Sequence, residues 1–240
     1  MKTLGIVAHS AEGASLCFAT ACLHGDSELG AYMHPDIVMS AVPMGLSMPG
    51  WESGDYSDVA KHLAKGVQIV ADGGADFYVC PDNTAHIVLE SIAENLPIPG
   101  LHIARVVCDK IRSMGFQKIG LLGTKWTMGG PVYIDAMNAA SLTRIVPREE
   151  TKMRINGAIF SELCRGIVTA ETTQMFQDAV QELKDDGAEC VVLGCTEIPI
   201  VVTEENSPLP PIDSTRLLAR RAVNICIETE KLQHENGWVV

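Results

Sequence analysis

Short apolar runs alternate along the chain with longer segments in which apolar residues recur every three or four positions. The runs Thr3–Ala8, Asp36–Ala41, Phe77–Cys80, Leu101–Ile103, Ile119–Leu122, Leu142–Val146 and Cys190–Leu193, with a shorter one at Ile212, predict strands. The segments Asp58–Asp72, Ala85–Asn95, Arg105–Met114, Pro131–Ala140, Gly157–Thr169, Thr172–Asp185 and Thr215–Leu232 keep helical spacing and predict helices. Strand runs this apolar have no polar face to turn to water, so both faces need cover. Strand and helix in alternation therefore predict an α/β fold of mostly parallel sheets flanked by helices.

The pattern also repeats. K-T-L-G-I-V-A-H-S at the start resembles Q-K-I-G-L-L-G-T, which sets Gly5 on Gly120 and His9 on Thr124 at an offset of 115. G-A-D-F-Y-V-C-P-D-N falls on G-A-E-C-V-V-L-G-C-T at an offset of 113, and L-P-I-P-G-L-H falls on S-P-L-P-P-I-D at 111. Three matches in one order, at nearly one offset, predict two copies of one α/β unit. The expected organisation is a first lobe over residues 1–104, a second over 105–213, and a C-terminal helix and tail, 214–240, that packs back on the first. A pseudo-twofold axis would relate the lobes and leave the site between them.

In the second match Asp82 falls on Cys195, and each follows a predicted strand. Ligands of open parallel sheets collect at the carboxyl ends of strands, so these two side chains become candidates for opposite walls of one site. A base that takes a proton from one face of a carbon, with an acid that returns one to the other face, inverts a stereocentre without a cofactor. A thiolate, at an ordinary pKa of about 8.5, exceeds a carboxylate at about 3.9 by roughly 6 kcal/mol of proton affinity. Burial and a neighbouring substrate carboxylate would raise the pKa of Asp82 and let it serve as a protonated acid or hydrogen-bond donor. The other reading of Asp82 is an Asx turn or helix N-cap. Asn83, Thr84, Thr124 and Thr196 offer hydroxyls, an amide and backbone N–H groups to a substrate carboxylate, although the same residue types cap helices with no ligand present. His86, four residues after Asp82, either packs under its loop as a supporting residue or takes part in the chemistry, Glu197 is expected to support the other loop, and Cys80, aligned with Leu193, belongs to the core.

Composition narrows the classes. Thirty acidic against 18 basic residues leave a net charge of -12 with no basic cluster, which argues against nucleic acid and anionic membranes as partners. The first apolar run is too short for a signal segment and no run is long enough to span a bilayer, so a cytoplasmic protein is expected. The eight cysteines lack C-x-x-C pairs or His-rich ligand spacing, which predicts reduced thiols and no metal site. G-L-L-G-T-K-W-T lacks both the Walker spacing and the G-x-G-x-x-G fingerprint, so no nucleotide is expected.

N-T-A-H at 83–86, L-L-G-T-K-W-T-M at 121–128, E-L-C-R-G-I at 162–167 and G-C-T-E-I-P at 194–199 together resemble the aspartate/glutamate racemase family, over about residues 2 to 227. The resemblance implies two similar Rossmann-like lobes with the site between them, a homodimer, and racemisation of a small carboxylate or amino acid by two cysteines without pyridoxal phosphate or any other cofactor. Cys195 matches the second of those cysteines. Asp82, in D-N-T, stands where the family carries the cysteine of C-N-T. Asn83, Thr84 and Thr196 would then hold the α-carboxylate and α-amino groups. A-H-S at 8–10 replaces the usual G-G-x-S, so His9 and Ser10 form a different first wall of the substrate pocket. No Lys or Arg lies between Lys2 and Lys61, where aspartate racemases keep a basic residue for the distal carboxylate, and Cys164, beside Arg165, takes a second basic position. Two other readings stay open on the same residues: a one-base decarboxylase or lyase with Cys195 as proton donor, and a non-catalytic protein that binds a small carboxylate.

Overall fold

The computed structural model describes residues 1–228 and 231–240. In chain order the elements are β1 (Leu4–Ala8), α1 (Ala11–Leu29), β2 (Ile37–Ala41), α2 (Met48–Ser53), α3 (Ser57–Asp72), β3 (Phe77–Val79), α4 (His86–Ile92), β4 (Gly100–Leu101) and α5 (Ile103–Ser113). There follow β5 (Lys118–Gly123), α6 (Lys125–Gly129), α7 (Pro131–Ala139), β6 (Thr143–Ile145), α8 (Glu149–Ser161), α9 (Ala170–Asp185), β7 (Cys190–Gly194), β8 (Pro211–Asp213), α10 (Ser214–Ile227), β9 (His234–Glu235) and β10 (Trp238–Val239). The chain divides into two compact units, one of residues 1–103 with 215–240 and one of residues 104–214. No helix among the described residues is long and apolar enough to cross a membrane.

The first unit holds a sheet of order β2-β1-β3-β4-β10-β9, parallel except for the final pair, and the second a parallel sheet of order β6-β5-β7-β8. The repeat extends to register. Leu4 lies opposite Phe77 and Ile119 opposite Cys190, while Val79 pairs with Leu101 and Val192 with Ile212. The paired glycines serve one purpose: a Cβ on Gly5 would lie 2.9 Å from the Val70 side chain of α3, and one on Gly120 2.9 Å from Leu183 of α9. Each glycine lets its covering helix lie close against the sheet.

Those helices carry the stripes that close the two cores. On α3 the buried residues are Val59, Leu63, Gly66, Val67 and Val70; on α9 they are Thr172, Met175, Phe176, Ala179, Val180 and Leu183. In the strands, Leu4, Ile6, Phe77 and Val79 of one unit, and Ile119, Leu121, Val191 and Val192 of the other, are all fully buried. Each large aliphatic or aromatic side chain so buried contributes about 1.5–3 kcal/mol.

Several elements differ from the sequence expectation, among them the short helices α2 and α6, which were not expected. Helix α1 gave no periodic signal because it buries small residues, Ala14, Cys17 and Ala21, and leaves Phe18 and Leu23 exposed. The helix expected over Gly157–Thr169 lies at Glu149–Ser161; a short turn at Leu163–Arg165 then closes on Gly166 at φ 71°, and Ile167 and Val168 are exposed. The last long helix ends at Ile227 rather than reaching Leu232, of which positions 229 and 230 lie outside the described residues. The tail instead turns at Asn236 and Gly237, with φ 50° and 79°, and lays Trp238 beside Gly100 as a new parallel strand. Asn-Gly suits such a turn because both positions tolerate positive φ.

Candidate active site

The first cluster lies beyond the carboxyl ends of β1 and β3. Ser10 adopts an extended conformation and its hydroxyl accepts the Gly13 N–H at 3.1 Å, capping α1 and fixing the path of the chain out of β1. That places His9, only 4% exposed, so that its Nδ1 lies 2.6 Å from Asp82 Oδ2. The other carboxylate oxygen, Oδ1, accepts the N–H groups of Thr84 at 2.9 Å and Ala85 at 3.3 Å. Asp82 is thus both a turn residue, through one oxygen, and the partner of a buried imidazole, through the other. Asn83 and Thr84 follow, both buried.

His86 anchors this loop. Its Nδ1–H donates to the Asp82 carbonyl at 2.9 Å, and its Nε2 accepts the Ile103 N–H at 3.3 Å, which fixes the neutral tautomer. Trp238 of the tail strand stacks on the ring at 5.8 Å, and His102 meets it edge-on at 4.8 Å. Burial, with the His102 charge second, drives the His86 pKa down to about 3. A fully buried imidazole with both nitrogens engaged is a structural pin, so the supporting role expected of His86 is mechanical.

For Asp82 the expected direction of the pKa is reversed. Burial pushes it up, as anticipated, but the His9 hydrogen bond and charge and the Ala85 N–H push it down further, and it lies below the ordinary carboxylate range. Asp82 is an ionised acceptor, so the shared hydrogen sits on His9 Nδ1. Across the ring, His9 Nε2 is buried and has no hydrogen-bond partner among the described residues. Trp51 of α2 closes one side of the imidazole in an edge contact, with centroids 6.1 Å apart.

The second cluster follows β7. Cys195 is half-buried, and its thiol donates to Glu197 Oε2 at 2.8 Å; Glu197 is only 3% exposed. Burial first, then the Glu197 charge, holds the Cys195 pKa well above the ordinary thiol value, so the sulfur keeps its proton. Cys164, on the turn after α8, is near enough to add to that effect. Thr196 is buried next to Cys195 in the chain. Thr124, which the repeat sets on His9, caps α6 by accepting the Thr127 N–H at 3.2 Å, and so does in its unit the capping that Ser10 does in the other.

Among the sequence-derived candidates, His9, Asp82, Asn83, Thr84 and His86 gather in one unit, and Cys195, Thr196 and Glu197 in the other. Ser10 and Thr124 spend a hydroxyl acceptor on helix caps. Trp51 was not foreseen, since its contact with His9 spans two elements that nothing in the local sequence joins. Among the described residues no cluster of three or more His, Cys, Asp or Glu side chains could hold a metal ion.

A thiol that donates to a buried carboxylate, and a carboxylate that fixes a buried imidazole, each at the carboxyl edge of a parallel sheet, are the parts of an acid–base enzyme. The pattern of the Asp/Glu/hydantoin racemase family matches residues 31–222. The chain belongs to that family, and it is an isomerase of the amino-acid racemase type. It is 25% identical over 202 residues to the broad specificity amino-acid racemase RacX of Bacillus subtilis, covering 84% of this chain and 86% of that one. A candidate Asp/Glu racemase from Yersinia pestis superposes with a TM-score of 0.87 at 27% identity, over 95% of this chain and all of that one. An aspartate racemase homologue from Pyrococcus horikoshii, 24% identical, shares the fold with a TM-score of 0.82 over 95% of this chain and 100% of its own.

Proposed function

We propose that the protein interconverts the two enantiomers of an amino acid by removing and returning the hydrogen on the carbon alpha to its carboxylate, with no pyridoxal phosphate. Cys195 serves one face of that carbon and the Asp82 cluster serves the other. The observation that carries the reading is the Cys195 thiol, set at the end of a central strand and hydrogen-bonded at 2.8 Å to the buried Glu197 carboxylate. It is a proton donor with an acceptor at hand for its proton, as reversible proton transfer to carbon requires. Asn83, Thr84 and Thr196 hold the α-carboxylate and α-ammonium of the substrate.

The substrate proposed is an amino acid with an uncharged side chain. The name of the Bacillus subtilis relative supports the amino-acid class. The absence of any Lys or Arg between Lys2 and Lys61 supports the uncharged side chain, because the loops after β1 and β2 offer no cation for a second carboxylate.

Incubating each enantiomer of a panel of amino acids in heavy water is the test. One deuterium should enter at Cα with loss of optical activity, and Cys195→Ser should slow this at least about 100-fold with an unchanged circular dichroism spectrum. Release of carbon dioxide or of a smaller product would turn the reading to a decarboxylase or lyase. Binding without exchange would turn it to a binding protein.

A further inference from the structure

Resting on the racemase reading, we infer that the group moving the proton on the face opposite Cys195 is the His9 imidazole, through Nε2, and that Asp82 is a positioning residue that acts through it. Asp82 is already committed, since Oδ2 faces His9 Nδ1 at 2.6 Å and Oδ1 accepts two backbone N–H groups. His9 Nε2 is not committed. It is buried and has no partner among the described residues, and a buried polar atom left in that state calls for an explanation such as a ligand or a catalytic role. Ser47 Oγ is buried and unpartnered in the same way, and the two atoms lie past the carboxyl ends of the adjacent strands β1 and β2.

The pairing explains two of the departures from the motifs this chain resembles. Histidine in A-H-S and aspartate in D-N-T are both unusual, and they touch each other. At ordinary values an imidazole binds a proton about 400-fold more tightly than a carboxylate, which brings it much nearer to a thiol as a partner in a reversible exchange. An ionised carboxylate on Nδ1–H fixes the tautomer, turns Nε2 toward its work and stabilises the imidazolium that forms, as in other carboxylate–histidine pairs.

The step balances. From one enantiomer, the Nε2 lone pair takes the hydrogen of Cα as a proton, and the C–H electron pair moves onto the carbanion delocalised into the substrate carboxylate. The Cys195 S–H bond then breaks and its proton joins Cα from the other face, leaving thiolate and imidazolium. From the other enantiomer the same steps run in reverse, starting from the thiolate and imidazolium that the first turnover leaves; loss of the imidazolium proton to water and gain of one by the thiolate return the resting pair. No oxidant or co-reactant takes part.

The experiment follows deuterium entry at Cα and net inversion separately, for each enantiomer, in His9→Gln, Asp82→Asn and the double variant. His9→Gln keeps a hydrogen-bonding amide but cannot carry the proton, so inversion should fall at least about 100-fold while one enantiomer still exchanges with retention at Cys195. Asp82→Asn can still accept from Nδ1–H and should lose less, and the double variant should be no worse than His9→Gln alone. In His9→Gly, added imidazole should restore inversion. Abolition of inversion by Asp82→Asn with activity kept in His9→Gln would make Asp82 the proton carrier and overturn the inference. Exchange falling equally for both enantiomers in His9→Gln, with a raised KM, would reduce His9 to a binding residue and overturn it too. The racemase reading is judged apart from this, by exchange in the wild type and its loss in Cys195→Ser.

Discussion

The loop after β3 and the loop after β7 sit at the same register of two sheets with a common strand order, yet their reactive groups rest in opposite states. Asp82 is held below its ordinary pKa and is charged; Cys195 is held above its own and is neutral. Burial acts in the same upward direction on both. The difference lies in the partner: an imidazole that donates to Asp82, and a carboxylate that accepts from Cys195. The partners also arrive by different routes. Glu197 is two residues beyond Cys195, whereas His9 reaches Asp82 from another strand, 73 residues earlier. A single neighbour thus turns the Asp82 shift downward against burial, while at Cys195 the neighbour adds to the upward push of burial.

The largest expected way to break the comparison is acid, because the two loops are pinned differently. His86 holds the first loop as a neutral imidazole, while the matching position of the second is Pro199, which cannot titrate. In the unfolded chain His86 binds a proton below about pH 6.5; in the folded chain it does so only near 3. The unfolded state therefore holds more protons throughout that window, and stability is present above about 6.5 and lost as pH falls toward about 3, by up to about 4–5 kcal/mol. Urea unfolding at stepped pH should show this loss, with amide exchange rising first around residues 82–103. His86→Gln should be less stable at neutral pH but flatter across the window; an equally steep profile would put the acid sensitivity elsewhere.

A smaller effect sharpens the comparison from the other side. Glu197→Gln keeps an oxygen near the Cys195 thiol but removes the charge that, after burial, raises its pKa. The thiol should ionise at lower pH, so iodoacetamide should alkylate Cys195 faster at a fixed pH near 8. Turnover should nonetheless fall by about 100-fold in the direction in which Cys195 must accept the Cα proton, because the amide cannot take the resting thiol proton and leave a thiolate. Slower alkylation would mean that Glu197 stabilises the thiolate rather than the thiol.

These contrasts also mark what the sequence discloses. Apolar runs and their spacing located the central strands and the helices α3 and α9, because both faces of those strands and one stripe of those helices are buried. The self-match located Asp82 and Cys195 at equivalent strand ends, since register is carried by the paired residues themselves. Helix α1 escaped because its buried face is built of alanine, cysteine and glycine, which carry little periodic signal. The hairpin of the tail had its Asn-Gly turn in plain view, but its two strands are only two residues each, too short for an alternating pattern. The direction of the Asp82 pKa was illegible for a different reason: it is decided by His9, and no local pattern ties a residue after β1 to one after β3.

The smallest effect expected concerns a second thiol in the first loop. Cys80 stands two residues before Asp82, at the position that Leu193 takes in the other sheet, and it is fully buried. Burial foremost, with the charges of Asp82 and Cys17 adding, keeps its pKa well above the ordinary thiol value, and Cys17 itself is pushed up to about 12. Nothing near Cys80 plays the part of Glu197 as a carboxylate acceptor two residues on, because the carboxylate at that spacing is Asp82, which is spent on His9 and on its own turn. Cys80→Ser should therefore leave deuterium exchange within about twofold of the wild type, well short of the 10²–10⁴-fold that loss of an acid–base group brings. Its cost should appear in stability, by about 1–3 kcal/mol, as a hydroxyl replaces a thiol in apolar surroundings. Exchange lost in Cys80→Ser as fully as in Cys195→Ser, in a variant that still folds, would move the reactive sulfur to the first loop and make the two clusters far more alike than their hydrogen bonds suggest.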